Sequence, residues 1–281
     1  MSAQWHSDAP LDDADNPAVR DVEFIRSWAA PTLDLVSQYY FRCEFRGVEN
    51  VPRQRNFMCV ANHSGGPLLP DVFMLVSQWW KLFGAETPAY AMIHDLPFRI
   101  PILRDTLIRM GGLRASRENG ERVLRGGGTL LAYPGGEQEV MRSYRNRNAI
   151  DFRGRTGFIR LALQTGVPIL PVVGIGGHEV YLTVFSSQAI ARLLRLDRLL
   201  GIRTFTINAG LPWGVWPTSL LPYWPLPAKL VFQVGKPFHL PQDPARAQDP
   251  AFVAGIYTEI TREMQRIADT LARERRLPVA G

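Results

Sequence analysis

The chain has 281 residues, 46% of them apolar and 21% charged. That is ordinary globular composition and excludes bulk disorder, collagen-like repeats and coiled coil. Two cysteines, Cys43 and Cys59, cannot build a disulfide scaffold or a four-thiolate zinc site, so a reducing intracellular setting is the default. The formal charge is +6, but residues 1–23 carry six acids and one base, leaving 31 bases against 20 acids, or +11, in residues 24–281. Such a body favours anionic partners: nucleic acid, anionic lipid or phosphorylated substrates.

In chain order, residues 1–21 read as an acidic, flexible leader without the basic and apolar regions of a signal peptide. Residues 22–41 carry apolar positions at helical spacing, as one or two helices divided by Pro31. Strand candidates follow at 56–61, 89–93, 129–133, 167–173 and 230–234. Between and beyond them lie helix candidates at 71–80 (with Pro70 in the first turn), 118–124, 156–164 and 250–275. Strands alternating with helices predict an α/β fold, a largely parallel central sheet covered by helices, in one domain over residues 22–281. No run of eighteen apolar residues occurs, so contact with a membrane would be peripheral, at the inner face in a cytoplasmic protein.

Of the five histidines, His6 lies in the leader and His239 in a proline-flanked turn, while His94 and His178 follow strand candidates. Only His63 sits in a loop suited to chemistry, Ala61-Asn62-His63-Ser64-Gly65-Gly66-Pro67, at the carboxyl end of a strand where ligands of open α/β sheets collect. Asp71 follows in the first helical turn, placed to orient an imidazole acting as general base. The bland alternative is a loop histidine bonded to backbone. A second constellation, residues 133–139 (YPGGEQE), puts a tight turn at Pro134, Gly135 and Gly136 beside Glu137 and Glu139. A third, residues 111–117 (GGLRASR), supplies Arg114 and Arg117, whose guanidinium groups suit phosphate or carboxylate.

Together and in this order, these segments resemble the four blocks of the glycerolipid acyltransferase superfamily, the lysophosphatidate-acyltransferase-like enzymes. The blocks are NHSGG at 62–66, GGLRASR at 111–117, YPGGEQE at 133–139 and VPILPVV at 167–173. The Pro-Gly-Gly form of the third is similar to the diacylglycerol and monoacylglycerol acyltransferase branch, as is the run from Arg155-Thr156-Gly157-Phe158 to Gly177-His178-Glu179. The resemblance spans about residues 40–240. It implies transfer of a fatty acyl group from acyl-CoA or acyl carrier protein to a lipid hydroxyl, without metal or other cofactor. His63 would be the base and Asp71 its partner. Asn62, Ser64, Gly65, Gly66, Arg114, Arg117, Pro134, Gly135, Gly136 and Glu137 would line the substrates.

Two departures from the family pattern stand out. Asp71 follows His63 by eight residues instead of the usual five, so a three-residue bulge must return it to the ring; otherwise Glu137, Asp105 or a backbone carbonyl orients the imidazole. The third block has Gly135, Gly136, Glu137 and Gln138 where Glu-Gly-Thr-Arg is usual. Losing that arginine favours a neutral acceptor over a phosphate monoester, unless Arg142, Arg145, Arg147, Arg153 and Arg155 replace it. For membrane contact, residues 190–200 form a basic amphipathic helix suited to an anionic bilayer or to docking on a core. Trp213, Trp216, Tyr223 and Trp224 suit the membrane interface, an acyl-channel lid or a packed interior. A lysophospholipid or glycolipid acyltransferase, a thioesterase and a non-catalytic lipid binder are the alternatives. No Gly-Xaa-Ser-Xaa-Gly elbow supports a serine hydrolase, and no motif supports nucleic-acid binding.

Overall fold

Met58–Ala61 (β2) is buried at every position, as a strand covered on both faces must be. In the computed structural model, which describes residues 12–52, 56–199, 202–218, 221–277 and 279–281, it is the middle of a seven-stranded sheet. The other strands are β1 (Glu44–Arg46), β3 (Ala89–Ile93), β4 (Gly112–Arg114), β5 (Thr129–Ala132), β6 (Ile169–Ile175) and β10 (Val231–Val234), in the order β1-β10-β6-β2-β5-β3-β4. The run β6-β2-β5-β3-β4 is parallel. The direction reverses only where β10 pairs antiparallel with β6, and β1 then follows β10 in parallel. The largely parallel α/β sheet expected from the sequence is therefore present.

Two-residue periodicity divides the core. Met58 and Val60 face a cluster that includes Val123, Ile159, Leu163, Ile260, Met264 and Leu271, from the helices Arg117–Arg125, Gly157–Thr165 and Pro250–Glu274. Cys59 and Ala61 face the other way, toward Phe57 and toward Met74 and Leu75 of the helix Pro70–Phe83. A separate antiparallel sheet, β7 (Leu182–Ser187), β8 (Phe205–Gly210) and β9 (Gly214–Pro217), is inserted between β6 and β10. Its residues carry no simple inward-apolar alternation, and none of its strands is among the expected elements.

Two expectations are corrected. Pro31 does not divide residues 22–41: helical segments run without a break through Val22–Phe24, Ile25–Ala29, Ala30–Leu35 and Val36–Tyr40. The turn before the proline is a wide one, with the Ala30 amide bonded to the Ile25 carbonyl, and it loosens the helix where the ring would crowd the preceding turn. The leader is not flexible in its second half. Residues 12–21 dock on the body, with Ala14 buried, Asp15 bonded to Arg114 (2.7 Å) and Asn119 (2.6 Å), and Asp21 bonded to Arg109 (2.8 Å). Its acids meet the basic body beside it. Residues 1–11, His6 among them, lie outside the described residues.

The carboxyl end of the chain is tied to the sheet by one buried ion pair. Glu179 accepts from Arg275 Nη2 at 2.5 Å and from the Val279 amide at 2.6 Å, and both side chains are nearly solvent-free. Arg275→Met strands the carboxylate in the interior and is expected to cost about 3–5 kcal/mol, read as a lower urea midpoint. Glu179→Leu combined with Arg275→Met should recover most of it.

Candidate active site

The site is assembled by the loop that leaves β2. Asn62 continues the ladder with its side chain: Nδ2 donates to the Gly174 carbonyl at 2.9 Å and Oδ1 accepts the Gly174 amide at 2.8 Å. Both ends of the amide are thus held by β6, so Asn62 braces the loop. His63 follows with its ring nitrogen Nδ1 2.7 Å from Asp71 Oδ2. The same oxygen accepts the Ser64 amide at 2.7 Å. Asp71 lies in the first turn of its helix and is 2% exposed.

The eight-residue spacing is closed by a bulge. Gly65 (φ +97) and Gly66 (φ +74) turn the chain in the left-handed region, where glycine carries no Cβ penalty. A Cβ on Gly65 would strike the Pro70 ring, and one on Gly66 would strike the Tyr181 ring. Pro67 and Leu68 project outward, with the Leu68 amide donating to the Tyr223 hydroxyl at 3.1 Å. Leu69 takes a left-handed φ of +50 and hands the chain to Pro70 at the first helical position. The Ser64 hydroxyl lies against Gly177, where a Cβ would meet it.

The third block approaches His63 from β5. The Tyr133 ring lies against the imidazole with centroids 4.5 Å apart, and burial pushes its phenol well above the usual value. The short helix Gly136–Val140 then presents Glu139, 1% exposed, whose Oε2 accepts the His63 amide at 2.9 Å. Burial pushes the Glu139 carboxyl up to about 8, against the attraction of Arg142. Gly135 exists for this contact, since a Cβ there would overlap the Glu139 carboxylate. The sequence offered Glu137 for the site, yet Glu137 is exposed and accepts the Arg203 amide at 3.2 Å. Two residues on, Glu139 is the acid that turns inward. The available signal was the helical turn itself, which carries positions 136, 139 and 140 on one side.

The arginines go elsewhere. Arg114 ends β4, three strand spacings or roughly 14 Å from β2, and faces Asp15 (2.7 Å), Asp95 (3.1 Å) and Asp12 (3.9 Å). Arg117 pairs with Glu121 at 3.1 Å. The structure does not bring either to His63. Arg155 bonds the carbonyls of Pro134 and Gly135 at 2.8 and 3.0 Å, bracing the Pro-Gly-Gly turn. Arg142 donates to the Ala149 carbonyl, Arg153 pairs with Asp151 at 3.1 Å, and Arg147 stacks over Tyr144. His178, buried behind the loop, is held neutral, its value depressed to about 3 by burial.

On the Asp71 side of the sheet lies an apolar cavity of about 60 Å³. Cys59, Leu131 and Val172 form its floor, and Leu75, Trp79 and Phe83 of the Pro70–Phe83 helix its roof. Strand periodicity sets Cys59 in line with His63 and Leu131 in line with Tyr133. The roof begins four residues past Asp71, roughly 6 Å along the helix. Among the described residues no group of three or more potential metal-binding side chains stands together.

The geometry has counterparts. The diacylglycerol acyltransferase family model matches residues 20–264. An uncharacterized protein of Mycobacterium tuberculosis is 29% identical over 86% of this chain and 65% of its own length. Diacylglycerol O-acyltransferase 2 of Homo sapiens is 34% identical over 60% of this chain and 44% of its own. The chain thus spans just under two thirds of the mycobacterial relatives it matches. In fold it is similar to the 1-acyl-sn-glycerophosphate acyltransferase PlsC of Thermotoga maritima, with a TM-score of 0.52 and 20% identity over 92% of this chain and 85% of that one.

Glu139 makes a pH-dependent prediction. Its folded value, about 8, lies above the ordinary 4.5. Its contribution to stability is therefore fully present below about 4.5 and is lost as pH rises through 8. Glu139→Gln keeps an acceptor for the His63 amide but cannot ionise. Thermal denaturation should show the variant gaining on the wild type between pH 5 and pH 8; parallel curves would refute the raised value.

Proposed function

The chain belongs to the diacylglycerol acyltransferase family, and from that premise we propose that it is an O-acyltransferase. It moves a fatty acyl group from an acyl thioester, acyl-CoA or acyl carrier protein, to a hydroxyl of a glycerolipid or related lipid alcohol. The observation that carries the reading is the buried His63–Asp71 pair at 2.7 Å, with an apolar cavity under the helix that carries Asp71. With Nδ1 bonded to the carboxylate, Nε2 is the nitrogen left to accept the acceptor's proton. The hydroxyl oxygen then attacks the thioester carbonyl carbon. As the tetrahedral intermediate collapses, the C–S bond breaks and the thiolate takes the proton from the imidazolium. Asp71 stabilises that imidazolium and fixes its tautomer. Ser64, Gly65, Gly66, Pro134, Gly135 and Gly136 surround the reacting groups, and no acyl-enzyme forms.

Charge supports a neutral acceptor. The third block lacks its usual arginine, Arg114 and Arg117 are paired with acids, and Arg142 and Arg155 are engaged by backbone carbonyls. These four guanidinium groups are thus not available to a phosphate monoester. The acyl tail would occupy the cavity under Cys59 and Leu131. None of the helices among the described residues is long and apolar enough to cross a membrane, and the enzyme is proposed to work on lipid from the membrane surface.

Thiol release from long-chain acyl-CoA, with and without diacylglycerol or other lipid alcohols, tests the reading. Acceptor-dependent release should vanish in His63→Ala, and Asp71→Asn should lower it about ten-fold or more by loosening the tautomer. Release independent of any acceptor would make the protein a thioesterase, and an active His63→Ala would end the general-base role. Ala91→Leu adds bulk to the cavity wall. It should cut kcat/KM for the longest donors about ten-fold while sparing short ones; unchanged chain-length preference would place the acyl tail elsewhere.

A further inference from the structure

The β7-β8-β9 sheet is built inside out. The cross-strand row Thr183–Asn208–Trp216 faces the protein. Two of its three residues are polar, with Asn208 Nδ2 donating to Thr206 Oγ1 at 3.0 Å and to the Thr218 carbonyl at 2.8 Å. The rows Phe185–Ile207–Pro217 and Leu182–Ala209–Val215 lie on the opposite face, and Val215 is 70% exposed. An antiparallel sheet with one face in water shows the reverse pattern. Beside it, the helix Gln188–Leu193 buries Ala191 and leaves Leu193 80% exposed. Leu199, Trp213 and Trp224 extend the exposed apolar surface. Leu193, Leu194 and Leu199 of the basic amphipathic segment are therefore not buried by core docking.

We propose that this outward sheet face, with the Gln188–Leu193 helix, is the docking surface for an anionic lipid bilayer. The inference rests on the lipid-acyltransferase reading and supplies that site with its membrane. Charge chooses the occupant. Residues 182–227 contain four arginines, Arg192, Arg195, Arg198 and Arg203, and a single acid, Asp197. All four arginines are exposed. Apolar side chains ringed by exposed guanidinium groups match acyl chains under anionic headgroups. A second copy docked on the same face would set the two arginine clusters against each other. The sheet also joins the site through its inner side: Tyr223 donates to the Gly65 carbonyl at 3.2 Å and packs on Tyr181, and Tyr181 packs on the inward-facing Trp216. A lipid alcohol held in the bilayer would meet the His63 loop at this edge.

The test is flotation of the full chain with phosphatidylcholine vesicles, with and without phosphatidylglycerol. Wild type should float with the anionic vesicles and release as salt rises. Phe185→Thr combined with Val215→Thr, and separately Arg195→Glu combined with Arg198→Glu, should each weaken binding about ten-fold. Their far-UV circular dichroism and their turnover of a water-soluble short-chain donor and alcohol should stay unchanged. Undiminished vesicle binding by both variants overturns the proposal. So does a wild-type dimer in light scattering that Phe185→Thr with Val215→Thr dissociates, since a second copy would then cover the face. Vesicle binding by a wild-type chain that transfers no acyl group supports the docking face and overturns only the enzymatic reading.

Discussion

One carboxylate oxygen organises the site. Asp71 Oδ2 receives both the His63 ring and the Ser64 amide at 2.7 Å, so the loop after β2 must return to the first turn of the following helix. Every unusual backbone feature nearby serves that return: two consecutive left-handed glycines, the left-handed Leu69, and Pro70 at the helix start. The loop is anchored at its other end by the Asn62–Gly174 bonds and from the side by Glu139 on the His63 amide. The imidazole is thereby fixed by strand, helix and third block together, and orientation of this kind is what a general base needs. The three inserted residues do not weaken the pair, because Tyr223 holds the bulge at Leu68 and at Gly65.

The interior carries charge only where it is matched or made neutral. Glu179 has Arg275 and a backbone amide. His178 is pushed toward its uncharged form and Glu139 toward its protonated one. Asp71 is the buried carboxylate with an imidazole for a partner, and that difference sets the proposed catalytic pair apart from pairs that hold the fold. The same holds for the arginines of the second block and for Arg142 and Arg155 beyond the third. They are consumed by the docked acidic segment 12–21, by Asp95 and Glu121, or by backbone carbonyls, and so contribute tethering more than recognition.

Much of this was legible in the residues because short buried strands and amphipathic helices have strong periods. The 89–93 strand falls where its apolar run does, and the Pro70–Phe83 helix starts at the proline that favours a first turn. His63 and Asp71 were legible as a pair because a glycine-rich loop after a strand has few other uses. Glu139 was not separable from Glu137, since only the rotation of a five-residue helix decides which acid turns inward. The destination of Arg114 was hidden for a related reason: its partners Asp12 and Asp15 lie about 100 residues earlier, and no local pattern encodes that docking. Pro31 misled because a wide turn just before it absorbs a residue that otherwise breaks a helix.

The small antiparallel sheet resisted sequence reading for the reason that makes it informative. Its alternation is regular, but apolar side chains point away from the protein and threonine and asparagine point in. Burial on the protein side cannot account for Phe185, Ile207 and Val215, whereas burial against lipid can. The cavity beneath Cys59 and Leu131 also lies on the side of the sheet to which Asp71 and its helix belong. An apolar cavity thus lies on the Asp71 side of the main sheet, and the small sheet reaches the His63 loop from its inner side through Trp216, Tyr181 and Tyr223. For a reaction that joins a fatty acyl chain to a lipid alcohol, each substrate would keep its hydrocarbon out of water while only the thioester and the hydroxyl meet at His63.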